Sequence, residues 1–170
     1  MEHNCLCITV PCYKEEEVLP ETAKRLKAKM TELIEKGKIS DQSRVVFIND
    51  GSTDRTWGIN LSRNRGHQNA LLAGLMTVKE YADMVISMDA DLQDDIQAVD
   101  SMVDRYLEGY DIVYGVRSSR EKDSFFKRVT AEGYYKVLKW MGADVVFNHA
   151  DYRLMSKRAL MGLSEFTEVN

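Results

Sequence analysis

The sequence predicts an α/β fold in which helices flank a mostly parallel central sheet. The first observation is that short apolar runs, such as "CLCITV" at residues 5–10, alternate along the chain with longer amphipathic segments. Uninterrupted apolar runs are typical of parallel strands, because helices cover both faces of a parallel sheet. The second observation is that polar and acidic residues directly follow several of these runs, and parallel sheets bind ligands at the carboxyl ends of their strands.

The strands and helices are predicted from apolar periodicity and from residues that begin or end an element. The first strand ends at Pro11, and the first helix has Pro20 in its first turn and Gly37 at its C-terminal cap. Asp94 or Asp95 is expected to cap the third helix. In chain order, the predicted elements are strand 5–10, helix 19–38, strand 44–50, strand 58–62, helix 68–82, strand 84–89, helix 94–110, strand 111–116, helix 123–142, and a strand followed by a helix within 151–163.

One junction does not fit a parallel sheet. The second strand ends near Asp50, and the next strand-like run begins at Gly58. A parallel crossover needs about a dozen or more residues. Either these two strands are antiparallel, or a segment of the natural chain is absent between Trp57 and Gly58. We favour the second interpretation, within a single domain that spans residues 1–170.

Composition excludes several classes of protein. The net charge of −4 argues against a nucleic-acid-binding protein, whose surface is usually basic. No apolar run approaches the roughly eighteen residues of a membrane span. Cys5, Cys7 and Cys12 are interpreted as small core residues in a reducing cytosol, and not as a disulfide or a zinc site.

Carboxylates are concentrated after the strand at 84–89. Asp89 and Asp91 are two residues apart, so on an extended backbone they point to the same side. Two such charges repel each other, and oxygen ligands favour a hard cation, Mg²⁺ or Mn²⁺, to which Gln93 could add a neutral oxygen. The alternative is a polar turn that caps the following helix without a metal, which is the role assigned to Asp94 and Asp95.

Two other strand ends carry residues suited to a nucleoside. Tyr13 could stack on a base, and Glu15 could reach a ribose or base edge. Asp50 could accept hydrogen bonds from the nucleoside, and Gly51 allows close approach of the backbone, although an Asx turn explains this stretch equally simply.

A further polar segment stands at the start of a helix. Arg63, Asn64 and Arg65 lie there, where phosphates bind well, and His67 beside them is interpreted as structural. The sequence contains neither G-x-G-x-x-G nor G-x-x-x-x-G-K-[ST], which excludes a dinucleotide-binding Rossmann site and a P-loop.

Four motifs together resemble a known family. "VPCYKEEE", "FINDGSTD", "SRNRGHQNAL" and "SMDADLQDD", in this order and spacing, resemble the inverting family 2 glycosyltransferases of the GT-A fold. "DIVYGVRSSREKDSFFKR" and "HADYRLMSKRAL" are similar to the polyprenyl-phosphate glycosyltransferases, the group of dolichol-phosphate mannose synthases and bactoprenol glucosyltransferases. Members of the family carry a helix after the second motif, which this chain lacks, and bactoprenol members continue into membrane helices beyond the point where this chain ends.

The resemblance implies a set of site residues and a cofactor. The cofactor is Mg²⁺ or Mn²⁺ on the diphosphate of the donor, and the acceptor is a lipid phosphate. The implied residues are Pro11, Tyr13, Glu15 and Asp50 for the nucleoside, Asp89, Asp91 and Gln93 for the metal, and Arg117 with Lys127 or Arg128 for the acceptor phosphate.

The implied reaction moves a hexose from a nucleotide diphosphate sugar, of the UDP-glucose or GDP-mannose type, to a polyprenyl phosphate. Asp91, Arg117 and Asp151 are the residues expected to take part in catalysis. Two alternatives stay open: transfer to a sugar hydroxyl in cell-surface polysaccharide synthesis, with Asp151 as base, and a non-catalytic nucleotide-sugar-binding domain. Asp151 could equally pair with Arg153 in a structural role.

The resemblance also implies a location. A membrane-associated enzyme of cell-wall synthesis, at the cytoplasmic face, is expected to meet its lipid at the membrane surface, and a homo-oligomer is left open. The stretch 117–128 is rich in cations although the chain is acidic, and each basic residue near an anionic surface contributes about 1 kcal/mol of attraction. Its cations are Arg117, Arg120, Lys122, Lys127 and Arg128.

Overall fold

The computed structural model of the chain describes residues 4–116 and 149–165. Within these two ranges, six strands and four helices follow one another in the predicted order. They are β1 Leu6–Cys12, α1 Leu19–Glu35, β2 Arg44–Asn49, β3 Ile59–Asn60, α2 His67–Val78, β4 Met84–Ser87, α3 Ala98–Leu107, β5 Ile112–Val116, β6 His149–Ser156 and α4 Lys157–Ser164.

The strands form one mixed sheet in the order β3-β2-β1-β4-β6-β5. β1 lies near its centre, pairs in parallel with β2 and β4, and is buried along all seven residues. β6 is antiparallel to both of its neighbours, β4 and β5. The predicted α/β fold with a mostly parallel sheet is confirmed, and the antiparallel β6 within the sheet was not predicted.

The two faces of the sheet are covered by different helices. α1 and α3 cover one face, where the apolar side chains that alternate along β1 meet them; this core includes Leu6, Ile8, Val10, Leu26, Leu33, Val99, Val103 and Leu154. The opposite core, under α2 and α4, includes Cys7, Leu71, Leu75, Val85, Met155 and Leu160. Burial on both faces explains why the strands are apolar without interruption.

The short junction after β2 joins two parallel strands. β3 is parallel to β2, with Ile48 opposite Ile59 and Asn49 opposite Asn60. The antiparallel alternative is therefore not found, and the favoured interpretation, a segment absent between Trp57 and Gly58, stays a prediction. The parallel pairing is achieved because β3 is only two residues long and joins the end of β2 through a loop, 50–58, that contains no helix.

Two helix boundaries differ from those that the sequence predicts. α2 ends at Val78 and not at 82, and α3 begins at Ala98 and not at 94, because the residues before Ala98 form turns. Asp95 contributes to one of these turns by accepting a hydrogen bond from the main-chain N–H of Gln97 at 2.9 Å. The helix predicted at 123–142 lies outside the described residues, as do Arg117, Lys127 and Arg128.

Cys5, Cys7 and Cys12 are buried free thiols, as the sequence predicts. Burial raises the pKa of the Cys7 thiol to about 12, so it stays protonated at neutral pH. Within the described part of the chain, none of the helices has the length and apolarity that crossing a membrane requires.

Candidate functional site

The carboxyl ends of β1, β2 and β4 meet the start of α2 and of β6 at a cleft of about 600 Å³. Parallel strands bring their carboxyl ends to one edge, and antiparallel β6 brings its beginning to the same edge. The cleft is lined by Pro11, Cys12, Tyr13, Glu15, Asp50, Asn64, Gly66, His67, Ala70, Asp89, Ala90, Asp91 and Asp151.

Asp89 and Asp91 follow β4 and both line the cleft. The atom Oδ1 of Asp89 is buried and accepts no hydrogen bond from any residue that the structure describes. Burial raises the pKa of Asp89 above its ordinary value, and the negative charges of Asp94, Asp91 and Asp151 raise it further, while His67 acts in the opposite direction. Burial and the neighbouring carboxylates therefore disfavour the charged form of Asp89, and His67 compensates for them only in part.

The loop that carries these carboxylates is anchored from three sides. The hydroxyl of Thr22, buried on α1, donates to the main-chain oxygen of Ala90 at 2.7 Å. The main-chain N–H of Asp89 donates to the carboxylate of Asp94 at 3.3 Å, and Tyr152 donates its hydroxyl to the main-chain oxygen of Asp95 at 2.9 Å. The positions of Asp89 and its neighbours are thus set by the packed core below them.

Gln93 does not line the cleft, although the sequence assigns it to the metal site. The chain turns at Leu92, which has a φ of 60°, and the side chain of Gln93 lines a neighbouring groove between α1 and the acidic loop. The main-chain N–H of Gln93 donates to Asp91 Oδ1 at 3.0 Å, so Gln93 orients this carboxylate through its backbone. The structure does not bring the Gln93 side chain together with Asp89 and Asp91.

The loop after β1 presents Tyr13 and Glu15 to the cleft. Tyr13 is exposed, and the ammonium of Lys14 lies 5.4 Å from the centre of its ring. The main-chain N–H of Glu15 donates to the hydroxyl of Thr56 at 2.8 Å, which ties this loop to the one after β2. Burial raises the pKa of Glu15, and the charges of Asp91, Asp54 and Asp89 add to this effect.

Asp50 lines the cleft but is only 2% exposed. Its Oδ1 accepts a hydrogen bond from the main-chain N–H of Arg65 at 2.7 Å, and its Oδ2 accepts one from Gly66 at 2.8 Å. Asp50 therefore fixes the entry to α2, and a nucleoside could use only the remaining lone pairs of its oxygens.

The start of α2 contributes residues other than the expected arginines. Asn64, Gly66 and His67 line the cleft, whereas Arg63 and Arg65 do not. This segment thus shapes the cleft without the guanidinium groups of the two arginines.

Asp151 is held by two residues that the sequence did not single out for this role. Gln68 Nε2 donates to Asp151 Oδ2 at 2.9 Å, and His67 Nε2 lies 3.4 Å from the same oxygen and 3.5 Å from Asp89 Oδ1. The alternative pairing of Asp151 with Arg153 is not found: within the described part of the chain Arg153 makes no ion pair, and its Nε is buried without a hydrogen-bond partner. In the sequence, only the polar residues at the start of the helix indicated that this segment could contribute to the site.

A divalent cation fits the acidic side of this cleft. The observation is the buried Oδ1 of Asp89, which accepts no hydrogen bond from the described residues and lies beside the like charge of Asp91. Among the described residues, no three His, Cys, Asp or Glu side chains converge tightly enough to hold a metal by themselves. Such an arrangement suits Mg²⁺ or Mn²⁺, which typically takes one or two carboxylates and completes its coordination with water and substrate phosphates.

The comparison with protein families agrees with this geometry. Residues 7–163 match the family model described as glycosyl transferase family 2. The chain is 47% identical over 179 residues to the uncharacterised glycosyltransferase YkoT of Bacillus subtilis, covering 97% of this chain and 53% of the relative. It is 33% identical over 182 residues to a prophage bactoprenol glucosyl transferase homologue of Escherichia coli, covering 97% of this chain and 56% of the relative.

A solved structure shows the same fold. Glucosyl-3-phosphoglycerate synthase from Mycobacterium tuberculosis, in complex with Mn²⁺, UDP-glucose and phosphoglyceric acid, matches with a TM-score of 0.63 at 16% identity, covering 91% of this chain and 57% of that chain. At this identity the likeness concerns the fold alone. The chain spans about half the length of the curated relatives that it matches.

Proposed function

The chain belongs to glycosyl transferase family 2, and from this premise we propose that it transfers a hexose from a nucleotide diphosphate sugar to a polyprenyl phosphate. The observation that carries the donor half of the proposal is the cleft in which Asp89 and Asp91 face the nucleoside-side residues Tyr13 and Glu15. The sugar nucleotide would place its base near Tyr13 and its diphosphate near the carboxylates.

A divalent cation supplies the positive charge that lets a diphosphate approach these carboxylates and leave after transfer. Asp89 and Asp91 are the residues that would hold it, Asp91 being oriented by the main chain of Gln93. Glu15 would accept hydrogen bonds from the nucleoside, since its carboxylate lies in the same cleft. Asp50 would act mainly through the loop that it holds.

The proposed lipid-phosphate acceptor is supported by the names of relatives and by the acid–base chemistry of a phosphate monoester. Relatives named as bactoprenol glucosyl transferases are 32–33% identical to this chain. A phosphate monoester has a second pKa of about 6, so at neutral pH its oxygen is already anionic. That oxygen would form the new bond to the anomeric carbon while the bond from this carbon to the diphosphate breaks, and no general base is required. The acceptor needs cations to position it.

Arg117, Lys127 and Arg128 are the cations proposed for this task; they lie outside the described residues. Arg117 follows β5, which runs parallel to β4 because both are antiparallel to β6. The end of β5 therefore points toward the edge of the sheet that carries Asp89 and Asp91. A polyprenyl acceptor would place the reaction at the cytoplasmic face of a membrane.

A sugar hydroxyl is the alternative acceptor, because Asp151 lines the cleft. A carboxylate there could take the proton of a sugar hydroxyl, as transfer to a polysaccharide would require. The two proposals differ in the product, since one yields a hexosyl lipid phosphate and the other a longer sugar chain.

The test supplies radiolabelled UDP-glucose or GDP-mannose together with Mn²⁺, polyprenyl phosphate in detergent and, in parallel, an oligosaccharide. We expect label in the lipid fraction, and we expect Arg117→Ala and Arg128→Ala to reduce it while nucleotide affinity stays unchanged. Arg105→Ala, on the exposed side of α3, is the matched control and should transfer like the wild type. Label in the oligosaccharide alone would overturn the lipid acceptor.

A further inference from the structure

The carboxylate of Asp151 reaches the cleft from a different strand than Asp89 and Asp91. The hydroxyl of Ser87 donates a hydrogen bond to the main-chain oxygen of Asp151. Ser87 is only 1% exposed and is the last residue of β4, two positions before Asp89. The backbone of Asp151 is therefore fixed against the strand that carries the metal-site carboxylates.

The side chain of Asp151 is oriented by the first turn of α2. Gln68 Nε2 donates to Oδ2 of Asp151 at 2.9 Å, and His67 Nε2 lies 3.4 Å from this same oxygen. Across residues 4–116 and 149–165, Oδ1 of Asp151 has no hydrogen-bond partner. One carboxylate oxygen is thus held by the helix, and the other stays available to a ligand in the cleft.

The helix turn that holds Asp151 is itself anchored. Both oxygens of Asp50 accept main-chain hydrogen bonds from Arg65 and Gly66, immediately before α2 begins. Asp50 is almost fully buried at the end of β2. Gln68 therefore projects from a rigid element and can hold Asp151 in one orientation.

A ligand group that meets the free oxygen of Asp151 must be a hydrogen-bond donor. A carboxylate only accepts hydrogen bonds, and the phosphates of the substrate carry negative charge, which excludes them as partners. Hydroxyl groups of a sugar are donors, and the hexose must lie beside the diphosphate to which it is bonded. The cleft brings Asp151 and the diphosphate-side residues Asp89 and Asp91 together.

We propose that Gln68, assisted by His67, is a positioning residue that turns Asp151 so that its free oxygen accepts a hydrogen bond from a hydroxyl of the transferred hexose. This inference rests on the proposed nucleotide-sugar donor and deepens it. It assigns recognition of the sugar to β6 and α2, and recognition of the nucleotide to the loops after β1, β2 and β4.

The test compares binding of a sugar nucleotide with binding of the nucleotide alone. Calorimetric titrations with UDP-glucose and UDP, or with GDP-mannose and GDP, are carried out in Mn²⁺ without acceptor, so that only the hydroxyls of the donor hexose are present. The variants are Gln68→Glu, which keeps the shape but loses the donor, Gln68→Ala, Asp151→Asn and the double variant of Gln68→Glu with Asp151→Asn. Gln42→Ala, an exposed glutamine in the loop before β2, is the control.

We expect Gln68→Glu and Gln68→Ala to weaken the affinity for the sugar nucleotide about tenfold while the affinity for the nucleotide alone stays within about twofold. The double variant should bind no more weakly than Asp151→Asn, because Gln68 acts through Asp151. Gln68 is exposed, so both substitutions should leave the thermal midpoint unchanged.

Equal weakening of nucleotide and sugar-nucleotide binding would overturn the inference, and so would unchanged binding of the sugar nucleotide or additive losses in the double variant. These outcomes differ from a failure of the proposed function, in which the wild type binds neither UDP-glucose nor GDP-mannose and the inference falls with its premise.

Discussion

At the scale of single residues, the cleft depends on backbone conformations as much as on side chains. Gly51 has a φ of +66°, and a Cβ added there would lie 2.5 Å from the main-chain carbon of Arg63 and the nitrogen of Asn64. The loop after β2 and the loop before α2 are therefore in direct backbone contact. Asp50 strengthens this contact through its two hydrogen bonds to the same loop.

Gly51→Ala is predicted to lower the free energy of unfolding by about 1–3 kcal/mol, because alanine is strained at this φ and its methyl group meets main-chain atoms. Denaturant unfolding measures the effect. Gly162→Ala is the control: Gly162 lies in α4 with nothing near its added Cβ, so alanine should be neutral or stabilise by up to about 1 kcal/mol. Equal stability of Gly51→Ala and the wild type would contradict this account.

Which residues lie in the cleft could be predicted from the sequence only where strand direction decides the position. Tyr13 and Asp91 follow strands and line the cleft as expected. Gln93 lines a neighbouring groove instead, because the positive φ of Leu92 redirects the chain and has no signature in the residue type. Gln68 was missed, since its partner Asp151 is 83 positions away in the sequence.

At the scale of elements, a buried ammonium clamps α1 to α3. Lys29 is 3% exposed, and its Nζ donates at 2.7 Å to Glu32 on its own helix and to Gln97 and Asp100 at the start of α3. Burial alone would raise the pKa of Asp100, but the hydrogen bonds and charges of Lys29 and Lys36 outweigh this effect and lower it. The clamp supports the acidic loop, which leads directly into α3.

Lys29→Met is predicted to lower the free energy of unfolding by about 2 kcal/mol, because it removes the buried cation that joins α1 to Gln97 and Asp100. Among the described residues, Asp100 then keeps only its contacts with the more exposed Lys36 and Lys38. Chemical denaturation gives this value. Lys27→Met, an exposed lysine on the same helix, should change stability by less than about 0.5 kcal/mol. A loss in Lys29→Met no larger than in this control would show that the clamp is dispensable.

The contribution of this clamp should depend on pH in one direction. The pKa of Asp100 in the folded protein is lower than its ordinary value of 3.8, so its contribution is fully present above pH 3.8. It is lost as the pH falls through the lowered pKa, because the carboxylate then becomes protonated. The stability difference between wild type and Lys29→Met should therefore shrink in this acidic range, as unfolding curves at successive pH values can show.

Element type was predictable, but element direction was not. Apolar runs located the strands of the described residues, yet β6 has the same apolar character whether it runs parallel or antiparallel to β4. Helix α3 begins later than its acidic residues suggested, since Asp94 and Asp95 take part in turns before Ala98. Hydrogen bonds within those turns depend on tertiary contacts, such as the one from Tyr152.

At the scale of the whole molecule, the edge of the sheet at β3 exposes large apolar side chains. Trp57 is 50% exposed and Ile59 is 48% exposed, although Trp57 packs edge-on against Phe47 at 5.0 Å. The matches to YkoT and to the Escherichia coli relative extend over 179 and 182 residues, more than the 170 of this chain. We propose that a segment present in relatives is absent between Trp57 and Gly58 and that it would cover this edge.

Insertion of the corresponding YkoT segment between Trp57 and Gly58 is predicted to raise the thermal midpoint and to reduce binding of a hydrophobic dye, because it would bury the exposed apolar side chains. A flexible Gly-Ser insertion of equal length is the control and should produce neither effect. An unchanged midpoint with the YkoT segment would mean that the short loop of this chain is complete as it stands.

The central claim is that the acidic edge of the sheet binds a nucleotide diphosphate through a divalent cation, and calorimetric titration of UDP and GDP with and without Mn²⁺ tests it most directly. For the wild type and for Asp41→Ala, an exposed carboxylate far from the cleft, Mn²⁺ should strengthen binding of one nucleotide at least about tenfold. Asp91→Ala should abolish this gain. If Asp91→Ala keeps the full dependence on Mn²⁺, Asp91 is not part of the metal site and the account is contradicted.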